Sequence, residues 1–201
     1  FNHAWGGSMA VRVETFKKLQ IEKIWESSVS DDLTISRAVK EAGLKVFFVP
    51  ACFVASYEKN EMLSFLEFAR RQFLITRIIT PGTWLFGLIT SFYSVFGFWG
   101  FLGLSFYFEI NGFDYWYIYL LTALLSVSVQ LFTAVLRQKM IFEIFQSDWH
   151  RLKAAAVADI LAGPLWSFII LLCIILSSFG RKIRWRGITY KLISPTEVIR
   201  I

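Results

Sequence analysis

The sequence has only two cysteines, and it has no internal repeat, low-complexity tract or known nucleic-acid-binding motif. Cys52 and Cys173 lie in a predicted buried strand and a predicted apolar helix, so they are interpreted as small apolar fillers, not as a disulfide or metal pair. Residues 1–26 have neither a basic start nor an apolar run, and so do not match a secretory signal. We predict no nucleic-acid partner, because the basic, Trp-containing tail directly follows an apolar run, where anionic headgroups are the expected contact.

Apolar residues are abundant: the chain of 201 residues is 56% hydrophobic and 18% aromatic. Three uncharged runs, near 84–108, 115–136 and 160–179, each reach the roughly 20 residues that cross a hydrocarbon core of about 30 Å. Aromatic side chains such as Trp84 and Tyr107 lie near the ends of the runs, as expected at lipid headgroups. We therefore predict a multi-pass integral membrane protein, since a large soluble core of buried helices fits these lengths poorly.

The net charge of +6 is unevenly distributed along the chain. Four cations lie between the second and third runs. The only charged residues between the first and second runs are Glu109 and Asp114. The positive-inside tendency places the segment 137–153 in the cytoplasm, and with it residues 1–81. A third simple crossing would put the basic tail, 181–201, outside. Gly163-Pro164 marks a plausible break in the third run, which leaves two or three crossings open.

The first 59 residues have the pattern of an α/β domain. Ser30 is a suitable helix cap, Asp31 and Asp32 fall in the first turn, and Gly43 is placed to end the helix. The run KVFFVP, continued by ACFVAS, predicts a strand over residues 45–56. Helix and strand would pack as one αβ unit.

The acidic pair has two interpretations. Both carboxylates could simply start a helix, which is the ordinary role of such a pair. Alternatively, one of them is a general base at the edge of a cleft, because the preceding WESSVS is polar and loop-like. Upstream, Gly6-Gly7 allows the backbone to approach a ligand closely, although paired glycines alone indicate only a tight turn.

Residues 60–81 predict an amphipathic helix that begins at Asn60 and lies at the membrane interface before the first span. Its cations are Arg70, Arg71 and Arg77. They could hold anionic lipid or the phosphates of a nucleotide, and the pattern favours lipid.

Four segments occur in a fixed order around these runs: WGGSMAVRVETF, SDDLTISRAVKEAGLKVFFVP, RRQFLITRIITP and IRWRGITYKL. In this order, over nearly the whole chain, they resemble the membrane-bound family 2 glycosyltransferases of the GT-A fold, and most closely the ceramide glucosyltransferase-like branch. The resemblance implies an α/β catalytic domain of GT-A type followed by helical membrane segments. It also implies that the chain is the C-terminal part of a longer enzyme, which agrees with a start at FNHAWGGSMAV that lacks Met.

The resemblance implies roles for individual residues. Asp32, the second acidic residue of the pair, takes the position of the family's catalytic base. Leu74 and Ile75 stand at the Arg-Trp positions of the family's Gln/Arg-x-x-Arg-Trp motif if Arg71 opens it, which is a departure from the pattern. The residues expected to bind substrate are Trp5, Gly6, Gly7, Asp31, Arg71, Gln72 and Arg77.

The family's Asp-x-Asp metal site lies N-terminal to this chain. We therefore expect no metal ligands here, and a divalent cation, Mg or Mn, only in the longer enzyme. The expected function is transfer of a sugar from a nucleotide-diphosphate sugar to a lipid or lipid-linked acceptor at the cytoplasmic membrane face, by inverting single displacement. The alternatives are a processive polysaccharide synthase and an inactive membrane scaffold or remnant.

Overall fold

A computed structural model describes residues 2–57, 61–185 and 187–201. The chain is mostly helical and divides into two compact units, one of residues 1–86 and 173–201 and the other of Gly87–Leu172. The helices are α1 (Val13–Lys18), α2 (Ile21–Trp25), α3 (Asp31–Glu41), α4 (Met62–Ile79), α5 (Pro81–Val95), α6 (Phe101–Ile110), α7 (Trp116–Ile144), α8 (Trp149–Leu161) and α9 (Gly163–Ser177). The strands are β1 (Lys182–Trp185), β2 (Ile188–Ser194) and β3 (Glu197–Arg200).

Helix α3 confirms the prediction made from its capping residues. The side chain of Ser30 accepts a hydrogen bond from the backbone N–H of Leu33, and both acidic residues lie in the first turn. Gly43 follows the helix at φ of +72°, a left-handed conformation that glycine adopts without strain.

The strand predicted for residues 45–56 is wrong. Residues 44–49 have no strand assignment, and a short 3-10 turn follows at Pro50–Cys52. Phe47 is 81% exposed and Cys52 is exposed, so neither is buried as predicted. A strand needs a neighbour for its backbone groups, and in the described part of the chain the sheet consists of the tail strands alone. The predicted αβ unit is therefore not observed.

Helix α4 confirms the predicted helix between residues 60 and 81, although Asn60 itself lies outside the described residues. Leu74, Ile75 and Ile79 are buried on one side of the helix, whereas Met62 and Leu63 are 53% and 75% exposed. The buried side faces protein, and the interfacial position of the helix stays a prediction.

The predicted basic tail is a folded element. Strands β1, β2 and β3 form an antiparallel sheet in the order β1-β2-β3, with Ile183 opposite Tyr190 and Leu192 opposite Val198. Ile183 and Leu192 share one core cluster with the buried residues of α4. Alternation along the strands leaves the lysines on the other face.

In the second unit, α6 packs along α7. A π-helical turn, Phe96–Gly100, precedes α6, and a Cβ added at Gly97 would lie 3.2 Å from Ser126 Oγ of α7. Small residues at such a crossing let apolar helices approach closely. Helix α7 continues eight residues past the predicted run to Ile144, and Arg137 and Gln138 both donate to the Asp159 carboxylate of α8.

Two helices are long and apolar enough to cross a membrane: Pro81–Ile110, which includes the π turn, and Trp116–Ile144. A third span exists only if the bent pair Gln146–Leu161 and Gly163–Ser177 counts as one, because its parts meet at 81°. The break predicted at Gly163-Pro164 is confirmed. Trp99 Nε1 donates to Pro164 O, in the first turn of α9, at 3.1 Å.

Candidate functional site

The glycine loop and the acidic pair meet in the structure. The backbone N–H of Gly6 donates to Oδ2 of Asp32 over 3.2 Å, across 26 positions of sequence. A Cβ added at Gly6 would lie 3.2 Å from Asp31 Oδ1 and 3.3 Å from Asp32 Oδ2, tighter than ordinary side-chain contact. A side chain at position 6 would have to displace these carboxylates by a few tenths of an ångström, so Gly6 favours the approach. That Gly6-Gly7 lets the backbone approach a ligand stays a prediction.

The Asp32 carboxylate is held by bonds on both of its oxygens. Oδ1 accepts from the Leu33 backbone N–H at 2.7 Å and from Ser30 Oγ at 2.5 Å, while Oδ2 faces the glycine loop. Asp31 differs, because its Oδ1 accepts only the adjacent Asp32 N–H, at 3.0 Å, among the described residues. Asp31 is exposed, and Asp32 is half-buried.

A second tether holds the same loop to α3. The backbone N–H of Ala4 donates to Ser36 Oγ at 2.7 Å, and this hydroxyl donates in turn to Asp32 O at 2.6 Å. Ser36 is fully buried. Its role was not predicted, because a serine in a helix interior gives no signal in the sequence.

Trp5 and Gly7 shape the open side of the loop. Trp5 is 68% exposed, and a Cβ added at Gly7 would lie 2.5 Å from its indole Nε1. The indole therefore lies over Gly7, and its exposed face is free to stack on a ligand ring.

His3 is a residue of this site that the sequence interpretation missed. Its Nε2 lies 3.1 Å from Thr83 Oγ1 at the start of α5, and its buried Nδ1 has no hydrogen-bond partner among the described residues. Burial, and then the charge of Lys40, lower the pKa of His3, while Asp32 acts in the opposite direction. A single histidine with no motif around it offered no basis for prediction.

Two of the three arginines of α4, Arg70 and Arg77, lie elsewhere, at the C-terminal end of α9. Arg70 donates to the carbonyls of Leu176 and Phe179, each at 3.4 Å, and Arg77 donates to those of Ser178 and Gly180. Cations suit the free carbonyls and the negative dipole end of a helix.

The other α4 residues predicted to bind substrate have different surroundings. Arg71 reaches Arg184 O at 3.5 Å and lies over the Phe68 ring, and Gln72 is exposed. Leu74 and Ile75, at the Arg-Trp positions of the family motif, are core residues. Within the described ranges, no hydrogen bond or ion pair joins an α4 arginine to Asp31 or Asp32.

The described residues do not form a divalent-cation site. Nowhere in the described part of the chain do three His, Cys, Asp or Glu side chains come together. The oxygens of Asp32 already accept N–H and O–H donors, whereas Mg²⁺ or Ca²⁺ takes about six or more oxygen ligands. The divalent cation expected in a longer enzyme stays a prediction.

Comparisons of the chain with protein-family models, with curated proteins and with solved structures give no match. Support for a function therefore comes from the geometry of the glycine loop and acidic pair and from the apolar helices.

Proposed function

We propose that this chain is the C-terminal part of a membrane-bound glycosyltransferase of GT-A type. It would transfer a sugar from a nucleotide-diphosphate sugar to the hydroxyl of a lipid or lipid-linked acceptor at the cytoplasmic face. The observation that carries the proposal is the contact of the Gly6 N–H with Asp32, which joins two of the four segments on which the family resemblance rests. The apolar helices that begin at Pro81 would anchor the polypeptide in the membrane that contains the acceptor.

Asp32 is the proposed general base. As the acceptor hydroxyl attacks the anomeric carbon, its proton would pass to the Asp32 carboxylate, the new C–O bond would form, and the bond to the diphosphate oxygen would break with inversion. A base needs reach before it needs a tuned pKa. The bonds to Ser30 Oγ and the Leu33 N–H fix one oxygen, so that the other is presented at the glycine loop.

Other residues have positioning roles in the proposal. Trp5 would stack on the sugar or the acceptor, and Gly6 and Gly7 would shape the pocket beside Asp31. Arg71 and Gln72 would hold the diphosphate or the acceptor near the interface. The proposal assigns no such role to Arg77, because its guanidinium group holds the carbonyls of Ser178 and Gly180.

The test is transfer by membranes that contain the polypeptide of the complete reading frame, with labelled nucleotide sugars and extracted lipid. Asp32→Asn should lower turnover by about 10²–10⁴-fold, the usual contribution of general-base catalysis. Gly6→Ala should lower it as well, because the added Cβ crowds both carboxylates.

Glu41→Gln is the matched control, since Glu41 is an exposed carboxylate at the far end of the same helix, in an exposed ion pair with Arg37. It should transfer as wild type. Wild-type turnover in Asp32→Asn would show that Asp32 is not the base. If the wild-type polypeptide inserts and folds but no donor supports transfer, the scaffold alternative is favoured.

A further inference from the structure

An open cavity of about 740 Å³ lies where the end of α9 meets the tail sheet. Its lining includes Arg77 of α4, Ser178 and Gly180 after α9, Arg181, and Lys191 and Ser194 of β2. All of these residues belong to the same compact unit. The sequence interpretation treated α4 and the tail as separate basic segments, and the fold joins them here.

The three cations of this cavity, Arg77, Arg181 and Lys191, have no anionic partner in the described part of the chain. No carboxylate of a described residue lies within ion-pair distance of any of them. Glu197, which pairs with Ser194 between β2 and β3, does not line the cavity. Three positive charges thus face one space without neutralisation.

Two of these cations also have further like charges beside them. Burial, followed by the charges of Arg181 and Arg70, lowers the pKa of Arg77. Lys191 also stands directly opposite Lys182 between β1 and β2. Like charges in directly opposed positions destabilise a sheet, and a bound anion would relieve both repulsions.

The two guanidinium groups are already oriented by the backbone. Arg77 holds the carbonyls of Ser178 and Gly180, and Arg181 Nη1 donates to Ile193 O at 2.8 Å. A guanidinium group has five N–H donors, so each keeps donors for a second acceptor. The planar fork of arginine matches the oxygens of a phosphate, and lysine adds a point charge.

The position of the cavity indicates where a phosphate bound in it would lie relative to the membrane. It opens immediately after α9, an uncharged apolar helix that ends at Ser177, and beside Phe179, which is 68% exposed. Basic residues just beyond an apolar helix lie at the depth of lipid headgroups. We propose that this cavity binds one phosphate group at the membrane interface. The site is independent of the proposed sugar transfer, because neither Asp32 nor the glycine loop contributes to it.

The experiment uses the full chain in dodecyl maltoside micelles, because this detergent contains no phosphate, and follows tryptophan fluorescence as a probe is added. One arm adds a short-chain phosphatidylglycerol and the other adds inorganic phosphate. Wild-type protein should bind at least one probe, and Lys191→Gln and Arg181→Gln should each weaken binding about fivefold, as expected for loss of one cation near a headgroup. Arg77 is left unchanged because it holds two backbone carbonyls, and since Arg181 also holds one, Lys191→Gln is the deciding variant.

Arg200→Gln is the matched control, since it removes one cation from β3, outside the cavity lining, and should change affinity less than twofold. Response to phosphatidylglycerol alone assigns the phosphate to a lipid, and response to inorganic phosphate shows that a free phosphate suffices. The proposal is overturned if neither probe binds, or if Lys191→Gln and Arg200→Gln bind equally. Arg181→Lys separates charge from geometry: it keeps the charge but loses the fork, so intermediate affinity is expected.

Discussion

Asp31 and Asp32 are adjacent in sequence, yet their surroundings separate them. Asp31 caps its own helix locally, with its Oδ1 on the next backbone N–H. Asp32 also accepts the N–H of Gly6, a contact that no helix end requires. Carboxylates at a helix start gain from the dipole in either case, so the long-range contact is what distinguishes the proposed base from the capping residue.

A pH dependence is predicted for the segment that carries the glycine loop. Because the pKa of His3 is lowered by burial, the unfolded chain binds more protons than the folded one as pH falls below the ordinary value of about 6.5. The stabilisation from neutral His3 is therefore present above this value and is lost as pH falls towards the folded pKa. Amide exchange at Ala4, whose N–H bonds Ser36 Oγ, should lose protection in acid.

The protection of the Ala4 amide, corrected for intrinsic exchange, is compared at about pH 7.5 and about pH 5.5. These two values bracket the ordinary histidine pKa of about 6.5. His3→Gln should remove the change. His150→Gln is the control, because His150 is exposed and should leave the change intact. Equal protection of Ala4 at both pH values in the wild type would contradict the assignment to His3.

At the scale of elements, α4 has two different sides. Leu74, Ile75 and Ile79 pack on the tail sheet, while Met62 and Leu63 remain exposed. The apolar pattern in the sequence predicts such a helix but does not tell which apolar side meets lipid and which meets protein. The partner that decides this lies more than a hundred residues later in the chain.

Because the tail sheet packs on α4, two alanine substitutions should lower the free energy of unfolding by different amounts. Leu192 is 1% exposed and faces α4, so Leu192→Ala should cost about 2–5 kcal/mol through the cavity it leaves. Ile199 is 49% exposed on the other face, and Ile199→Ala should cost less than about 1 kcal/mol. Thermal unfolding in detergent, followed by tryptophan fluorescence, compares them. Equal shifts of the midpoint would show that Leu192 is not a core residue.

Elements set by signals within a few residues of the chain could be predicted from the sequence, whereas elements that depend on distant residues could not. Helix α3 was predictable because its signals, Ser30 and Gly43, act within a turn of the chain. The strand over residues 45–56 was not, because apolar composition says nothing about whether a neighbouring strand exists. The tail sheet was missed for the related reason that its alternation is short and its residues strongly basic.

The residues predicted for the site also divide into those that the fold brings together and those that it does not. The local pattern marked Gly6-Gly7 as a turn and Asp32 as a helix-start residue, and only the family resemblance proposed Asp32 as the base; the fold brings Gly6 and Asp32 into contact. The resemblance also named Arg77 for substrate, whereas the structure directs that side chain to carbonyls after α9. Which acceptor an arginine reaches depends on tertiary packing, and no spacing along α4 encodes it.

For the whole molecule, the shared core of α4 and the tail sheet restricts the membrane topology. Leu74 and Leu192 lie in one cluster, so both must be on the same side of the bilayer. If the helices Pro81–Ile110 and Trp116–Ile144, which are long and apolar enough to span, both cross the bilayer, they return the chain to that side. A complete third crossing would carry the tail away from α4, so we infer that the pair bent by 81° enters and leaves on one face.

Cysteine labelling from each side of the membrane tests this inference. In a background with Cys52→Ser and Cys173→Ala, Ser194→Cys reports the tail, Gln146→Cys the segment before the bent pair, and Asn111→Cys the turn between the two crossings. We expect Ser194→Cys and Gln146→Cys to react from one side and Asn111→Cys from the other. The positive-inside tendency makes the first side cytoplasmic, because Arg137 to Lys153 flank Gln146. Reaction of Ser194→Cys on the same side as Asn111→Cys would mean that α8 and α9 cross completely, and would contradict the core shared by α4 and the sheet.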